Sequence, residues 1–199
     1  MLTMMKITIF ILTAILALFC LGYALAESST PLPAFTYSGD DPIVAAVYAD
    51  TAANGRNFLF EENMVSIPFP VIHKVEQKDD SHALVYGNFW VFNFKLTGDV
   101  LEDVSGGERP AILTLEKKGD TWSVTDVNEA EGGESFAEDI VGFCNGDKDL
   151  EKAYFESSDF TSATFMEVFL KNLREYVTAN NLPVKAWKEY GTDPVPLFE

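Results

Sequence analysis

Cysteine is nearly absent from these 199 residues, with only Cys20 and Cys144 present. Cys20 lies in an N-terminal apolar run read below as a removed leader. Cys144 then stands alone, no internal disulfide can form, and stability must come from a hydrophobic core. Basic residues are also scarce. Fourteen Lys and Arg face 31 Asp and Glu, for a formal net charge of −17. A nucleic-acid backbone is met by Lys and Arg, so this balance argues against a nucleic-acid partner. It argues equally against an electrostatic hold on anionic membranes. The acidity reads first as solubility, and second as attraction for cationic partners. Histidine occurs twice, at His73 and His82. The sequence has no Gly-x-Ser-x-Gly elbow, phosphate-binding Gly loop, His-Glu-x-x-His pair or internal repeat. No cofactor and no metal are expected.

What is present begins with an export signature. Lys6 precedes a nearly unbroken apolar run from Ile7 to Leu21, and Ala24 and Ala26 supply small residues before a polar stretch. A basic start, an apolar middle and an Ala-x-Ala site are the parts of a secretory signal peptide. Cleavage is expected after Ala26, giving a secreted or periplasmic protein. The alternative is an uncleaved membrane anchor, since a span needs about 20 apolar residues. Lipid attachment at Cys20 is disfavoured by the bulky Phe19. Residues 1–26 are thus the leader, 27–39 a flexible Ser/Thr/Pro-rich lead-in, and 40–199 a single domain. A domain of this length buries an adequate core, and 16 Phe, 7 Tyr and 3 Trp supply the apolar surface.

Asp41-Pro42 opens a first helix, with Asp as N-cap and Pro in the first turn. Ile43, Val44, Val47 and Tyr48 share its apolar face, and Asn54-Gly55 is read as its stop. Strands dominate from Val65 to Val127. Pro68 and Pro70 mark the first as an edge strand or as a strand beginning after Pro70. His82 to Thr97 is the longest, with Gly87-Asn88 as a point of bulge or bend. Val100–Val104, Ala111–Lys117 and Thr121–Val127 follow, the last two joined by a tight turn at Lys118-Gly119-Asp120. Ser135–Phe143 and Lys148–Phe155 read as short helices. Phe165, Val168, Phe169, Leu173, Tyr176 and Val177 form the strongest helical stripe, capped by Thr164 or Thr161 and ended by Asn180-Asn181 and Pro183. The tail is extended or irregular. A helix, then antiparallel strands, then helices is an α+β pattern.

The run Tyr86-Gly-Asn-Phe-Trp90, Phe94-Lys-Leu-Thr-Gly98, Ser105-Gly-Gly-Glu-Arg-Pro110 and Gly119-Asp-Thr-Trp-Ser-Val124 resembles the sheet of exported bacterial proteins with a cystatin-like roll. That architecture includes the nuclear-transport-factor-like superfamily, and the resemblance covers about Pro42 to Val127. It implies an antiparallel sheet with the N-terminal and C-terminal helices packed on one face. It also implies a choice between non-enzymatic binding domains and small isomerases or dehydratases. The cystatin inhibitor hairpin Gln-x-Val-x-Gly is replaced here by Gln77-Lys-Asp-Asp-Ser81. The isomerase pattern of a Tyr with two acids has no local match, although Tyr86 and Asp126 are present.

His73, His82 and Asp79 or Asp80 are read as solvent-facing strand ends rather than metal ligands. Asn145, Asp147, Asp149 and Glu151 alternate like a calcium loop, but Leu150 stands where Gly is needed, so helix capping explains them better. Cys144 is read as a buried structural thiol. Tyr86, Trp90 and Phe92 have the alternation that puts them on one side of the long strand, and they are the candidate ligand-binding residues. The expectation is an exported non-catalytic domain that binds an unknown small molecule or protein. The alternative is a small-molecule isomerase or hydrolase using a carboxylate in the roll's pocket.

Overall fold

The structure is a computed structural model describing residues 31–56 and 63–198. The expected leader, the cleavage expected after Ala26 and Cys20 lie outside the described residues. No helix among the described residues is long and apolar enough to cross a membrane.

The chain is α+β. Helix α1 spans Pro42–Arg56. Its cap is Asp41, whose Oδ1 accepts from the backbone N–H groups of Ile43 at 2.8 Å and Val44 at 3.1 Å. Strands β1 (Met64–Gln77), β2 (His82–Thr97), β3 (Val100–Gly107), β4 (Pro110–Lys118) and β5 (Thr121–Glu129) follow. A 3-10 turn at Gly133–Ser135 leads into α2 (Phe136–Cys144), α3 (Lys148–Ser157) and α4 (Ala163–Ala179). The cap of α4 is Ser162, whose Oγ accepts from Phe165 N at 3.2 Å, rather than Thr164 or Thr161. Asp147 caps α3, accepting from Leu150 N at 3.1 Å. The expected irregular tail holds two short strands, β6 (Ala186–Lys188) and β7 (Val195–Pro196).

Among the described residues the strands form one seven-stranded sheet in the order β5-β4-β2-β3-β6-β7, with β1 on the other side of β2. The sheet is mixed rather than wholly antiparallel, because β3 and β6 run parallel. Strand β1 pairs only with β2, so its prolines sit on an edge. That edge is partly closed by Asn172 of α4, whose Nδ2 donates to Pro68 O at 2.8 Å and lies 3.1 Å from the Tyr48 hydroxyl of α1.

The helices lie on two faces of the sheet, not one. Successive strand residues point to opposite sides. Odd-numbered Ala83, Val85 and Phe89 of β2 pack with Val47 of α1 and with Leu113, Leu115 and Trp122. Even-numbered Trp90 and Phe94 pack with Ile67 and Phe69 of β1 and with Phe165, Phe169 and Leu173 of α4. Each large apolar side chain buried there contributes about 1.5–3 kcal/mol. A third cluster joins Ile140, Cys144, Leu150 and Tyr154 of α2 and α3, with Tyr86 against it.

Two glycines are set by close approach. Gly55 was expected to stop α1, yet it lies within the helix, where a Cβ would come 2.1 Å from Ser66 Oγ and 2.4 Å from Val91 Cγ2. It lets α1 settle onto β1 and β2. At Gly87 a Cβ would come 2.5 Å from Val71 O. The irregularity expected at Gly87-Asn88 is in the partner strand, between Ile72 and Lys74 of β1.

The expected lead-in is docked where it is described. Phe35 stacks on Tyr48 with centroids 5.7 Å apart, and the Tyr176 hydroxyl donates to Pro33 O at 2.8 Å.

Candidate functional site

Strand β2 changes neighbours along its length. Residues His82 to Asn88 pair with β4, and residues Val91 to Thr97 pair with β3. Where one partner gives way to the other, Glu108 and Arg109 connect β3 to β4, and Phe89 N donates to Arg109 O at 3.0 Å. Such a fork leaves room beside the strand. A cavity of about 320 Å³ opens there, lined by Asn54 of α1, Phe89, Val91 and Asn93 of β2, the run Ser105 to Arg109, and Glu129 of β5. Ligand pockets range upward from roughly 300 Å³ and combine apolar walls with a few placed polar groups.

The polar groups are held by identifiable partners. Asn88 is fully buried, and its Nδ2 donates to Glu108 Oε1 at 2.6 Å. The Ser158 hydroxyl donates to the same oxygen at 2.7 Å. These bonds hold the Glu108 carboxylate on the Trp90 side of β2, across the sheet from Phe89 and Val91. Burial pushes the Glu108 carboxyl above its ordinary range, against the pull of the Ser158 and Asn88 bonds. The Arg109 guanidinium pairs with Asp50 of α1. Asn93 is 2% exposed and its Nδ2 donates to Ser105 Oγ at 3.0 Å. Among the described residues, Asn93 Oδ1 and Arg109 Nε are buried without a partner.

The three residues singled out from the sequence are only partly brought together. Trp90 and Phe92 stack with centroids 5.8 Å apart and planes 7° apart. They lie under α4, where Trp90 also meets Phe165 at 5.0 Å and its Nε1 donates to Ser157 O at 3.0 Å. Tyr86 shares the face but not the cluster. Its hydroxyl donates to Glu76 Oε2 at 3.3 Å, and Lys74 Nζ lies 5.4 Å over its ring. This aromatic face is mainly core. A narrow opening of about 20 Å³ lies between Phe92, Asp103, Phe160, Phe165 and Trp187. Asp103 is pushed up to about 6 there, by burial first and by Glu189 in addition, against a bond from the Ser105 backbone.

No protein family, curated protein or solved structure matches this chain.

The histidines stay apart in role. His82 Nδ1 lies 2.9 Å from Asp79 in the exposed β1–β2 turn. His73, at the β1 irregularity, places Nε2 3.0 Å from Ser157 Oγ and 3.3 Å from Asn88 Oδ1. The serine–histidine contact has the spacing of a nucleophile and its base. Ser157 is fully buried, however, and its hydroxyl donates to Ala153 O at 2.9 Å, so no substrate reaches it. Burial lowers the His73 pKa, and the Asn88 bond opposes that. Among the described residues no three His, Cys, Asp or Glu side chains gather as a metal site. Cys144 is a free, buried thiol raised by burial.

Sequence reasoning did not reach the fork. Its residues Asn93, Glu108 and Arg109 look individually like surface polar residues. The available signal was Ser105-Gly-Gly-Glu-Arg-Pro110, where two glycines adjoin an acid and a base.

Proposed function

We propose that this chain is an exported, non-catalytic domain that binds a small molecule in the cavity at the β2 fork. The observation that carries this reading is that cavity: about 320 Å³, walled by Phe89 and Val91, with the Oδ1 of buried Asn93 unpartnered among the described residues. Buried polar groups without partners are rare in folded proteins, and a ligand is one way of supplying them. On this reading the fold is a cystatin-like roll, in which the long strand β2 bends past its change of partner and α1 lies against that face. The leader is removed after Ala26, which intact-mass analysis of the released protein checks. A mass that retains residues 1–26 contradicts the cleavage.

The cavity can be tested by filling it. Gly107 lines it, and a Cβ there would meet nothing within 4 Å. Gly107 pairs with Val91, so its side chain would point to the cavity side. Gly107→Leu should therefore keep the fold and abolish binding of molecules found by a thermal-shift screen. Hits that bind the variant as well as the parent place the site elsewhere. A second reading makes the chain a small isomerase or hydrolase with Glu129, an acid of the cavity lining, as its base. Turnover of a bound hit that is lost in Glu129→Gln, with binding retained, would favour that alternative.

A further inference from the structure

Two lining residues of the cavity, Asn93 and Arg109, hold unpartnered polar atoms, and the two atoms differ in kind. Asn93 is 2% exposed, and alternation along β2 puts its side chain on the same face as Phe89 and Val91. Its amide donor is taken up by Ser105 Oγ, so Oδ1 remains as an acceptor without a donor among the described residues. Ser66 stands opposite Asn93 on β1, but its Oγ is turned against Gly55 of α1 and makes no bond to Oδ1. Arg109 leaves the opposite kind of group. Its guanidinium pairs with Asp50 of α1 and so lies on the α1 side of the sheet, the side of Phe89. There Nε is a buried donor with no acceptor among the described residues. Phe89 N donates to Arg109 O, which anchors Arg109 beside Phe89, whereas Asn93 lies four residues farther along β2. At about 3.3 Å per residue, roughly 13 Å of strand separates the two anchoring points, with Phe89 and Val91 as the apolar wall between them.

Charge narrows the choice further. Arg109 and Asp50 neutralise each other, and Asn93 and Ser105 carry no charge. A charged group taken inside would be buried without a counter-ion. Glu129 is exposed where it lines the cavity, and it repels anions. Resting on the reading of the cavity as a ligand site, we propose that its ligand is an uncharged, elongated molecule with a hydroxyl or N–H donor at one end, a carbonyl acceptor at the other and an apolar middle. The donor meets Asn93 Oδ1, the acceptor meets Arg109 Nε, and the middle lies along Phe89 and Val91. Each end satisfies a group that is otherwise buried and unpaired, which is where a hydrogen bond discriminates most strongly between ligands.

The test uses ring compounds matched in size. 4-Hydroxyacetophenone carries a donor and an acceptor at opposite ends, 4-methoxyacetophenone lacks the donor, and 4-ethylphenol lacks the acceptor. Each is titrated calorimetrically into the released protein and into its Asn93→Ala, Arg109→Lys and Gly107→Leu variants. 4-Hydroxyacetophenone should bind at least about tenfold more tightly than either relative, because each relative leaves one buried group unpaired. Asn93→Ala should abolish its advantage over the methoxy compound. Arg109→Lys, which keeps a cation for Asp50, should abolish its advantage over 4-ethylphenol. Tyramine and 4-hydroxyphenylacetate, the charged counterparts, should bind more weakly than 4-hydroxyacetophenone, and Gly107→Leu should weaken every probe. Equal binding of the three neutral probes, or tighter binding of a charged one, with the Gly107→Leu block intact, overturns the ligand assignment and leaves the cavity standing. That comparison needs only the parent and Gly107→Leu, so it decides the assignment even if Asn93→Ala does not fold. Binding that ignores Gly107→Leu, or no binding by any probe, overturns the cavity site and the ligand assignment with it.

Discussion

Gly106 and Gly107 are adjacent in β3 and identical in chemistry, yet the structure requires opposite outcomes when each becomes Ala. Gly106 pairs with Phe92 and Gly107 with Val91. A Cβ at Gly106 would come 2.3 Å from Phe92 Cδ1 and 2.8 Å from Cγ. The Phe92 ring has little freedom to withdraw, because Trp90 stacks on it at 5.8 Å and Phe169 meets it edge-on at 5.8 Å. Overpacking of this kind costs about 1–3 kcal/mol. A Cβ at Gly107 meets nothing within 4 Å. There Ala only narrows the unfolded ensemble, which stabilises by about 0.4–1 kcal/mol. The two variants should therefore differ by about 2–3 kcal/mol, or roughly 5–10 °C in midpoint for a domain of this size. Urea melts followed by Trp fluorescence, with thermal melts in parallel, measure the difference. If Gly106→Ala matches the parent, or Gly107→Ala is the less stable of the two, the Phe92 ring is not pinned over Gly106.

Three further outcomes are expected. Phe169→Ala should cost about 3–5 kcal/mol, near the upper end, because its 3%-exposed ring touches Phe69 and Trp187 at 4.7 Å each; an unchanged urea midpoint contradicts the placement of α4. Asp103, held near 6 in the folded chain against an ordinary 3.8, favours the folded state when protonated. Its contribution is fully present below about pH 4 and is lost as pH rises through 6. Asp103→Asn should flatten that part of the stability profile, and an unchanged slope between pH 4 and 6 counts against the burial. Asn172→Leu leaves the Tyr48 hydroxyl and Pro68 O unpaired, at about 1–3 kcal/mol for each buried group; equal denaturation midpoints for variant and parent would show that water satisfies both.

Features set by local chemistry were legible in the sequence. Asp41 caps α1, the Lys118-Gly119-Asp120 turn separates β4 from β5, and Pro68 and Pro70 put β1 on an edge, as their backbone constraints require. The assignment of helices to faces was not legible. Met64 to Val71 and Phe89 to Val91 are buried on both sides, so the alternation that identifies a core face is missing there. The even-numbered aromatics of β2 were correctly placed on one side, but only the third dimension shows α4 covering them. The candidate site was the least legible part. Asn88, Asn93 and Asn172 are almost fully buried although their side chains are polar. Nothing near them in sequence announces the partners 12 to 124 residues away.

The parallel pairing of β3 with β6 also bears on the order of assembly. Leu101 aligns with Trp187, and Leu197 is fully buried with its carbonyl accepting from Arg174 Nε at 2.8 Å. Synthesis proceeds from the N-terminus, so these walls of the Phe69–Phe169 core are made after the residues they cover. Contacts that span so much chain form slowly because loop closure precedes their reward. Until residues 186–197 are made, the aromatic core lacks the cover of Trp187 and Leu197.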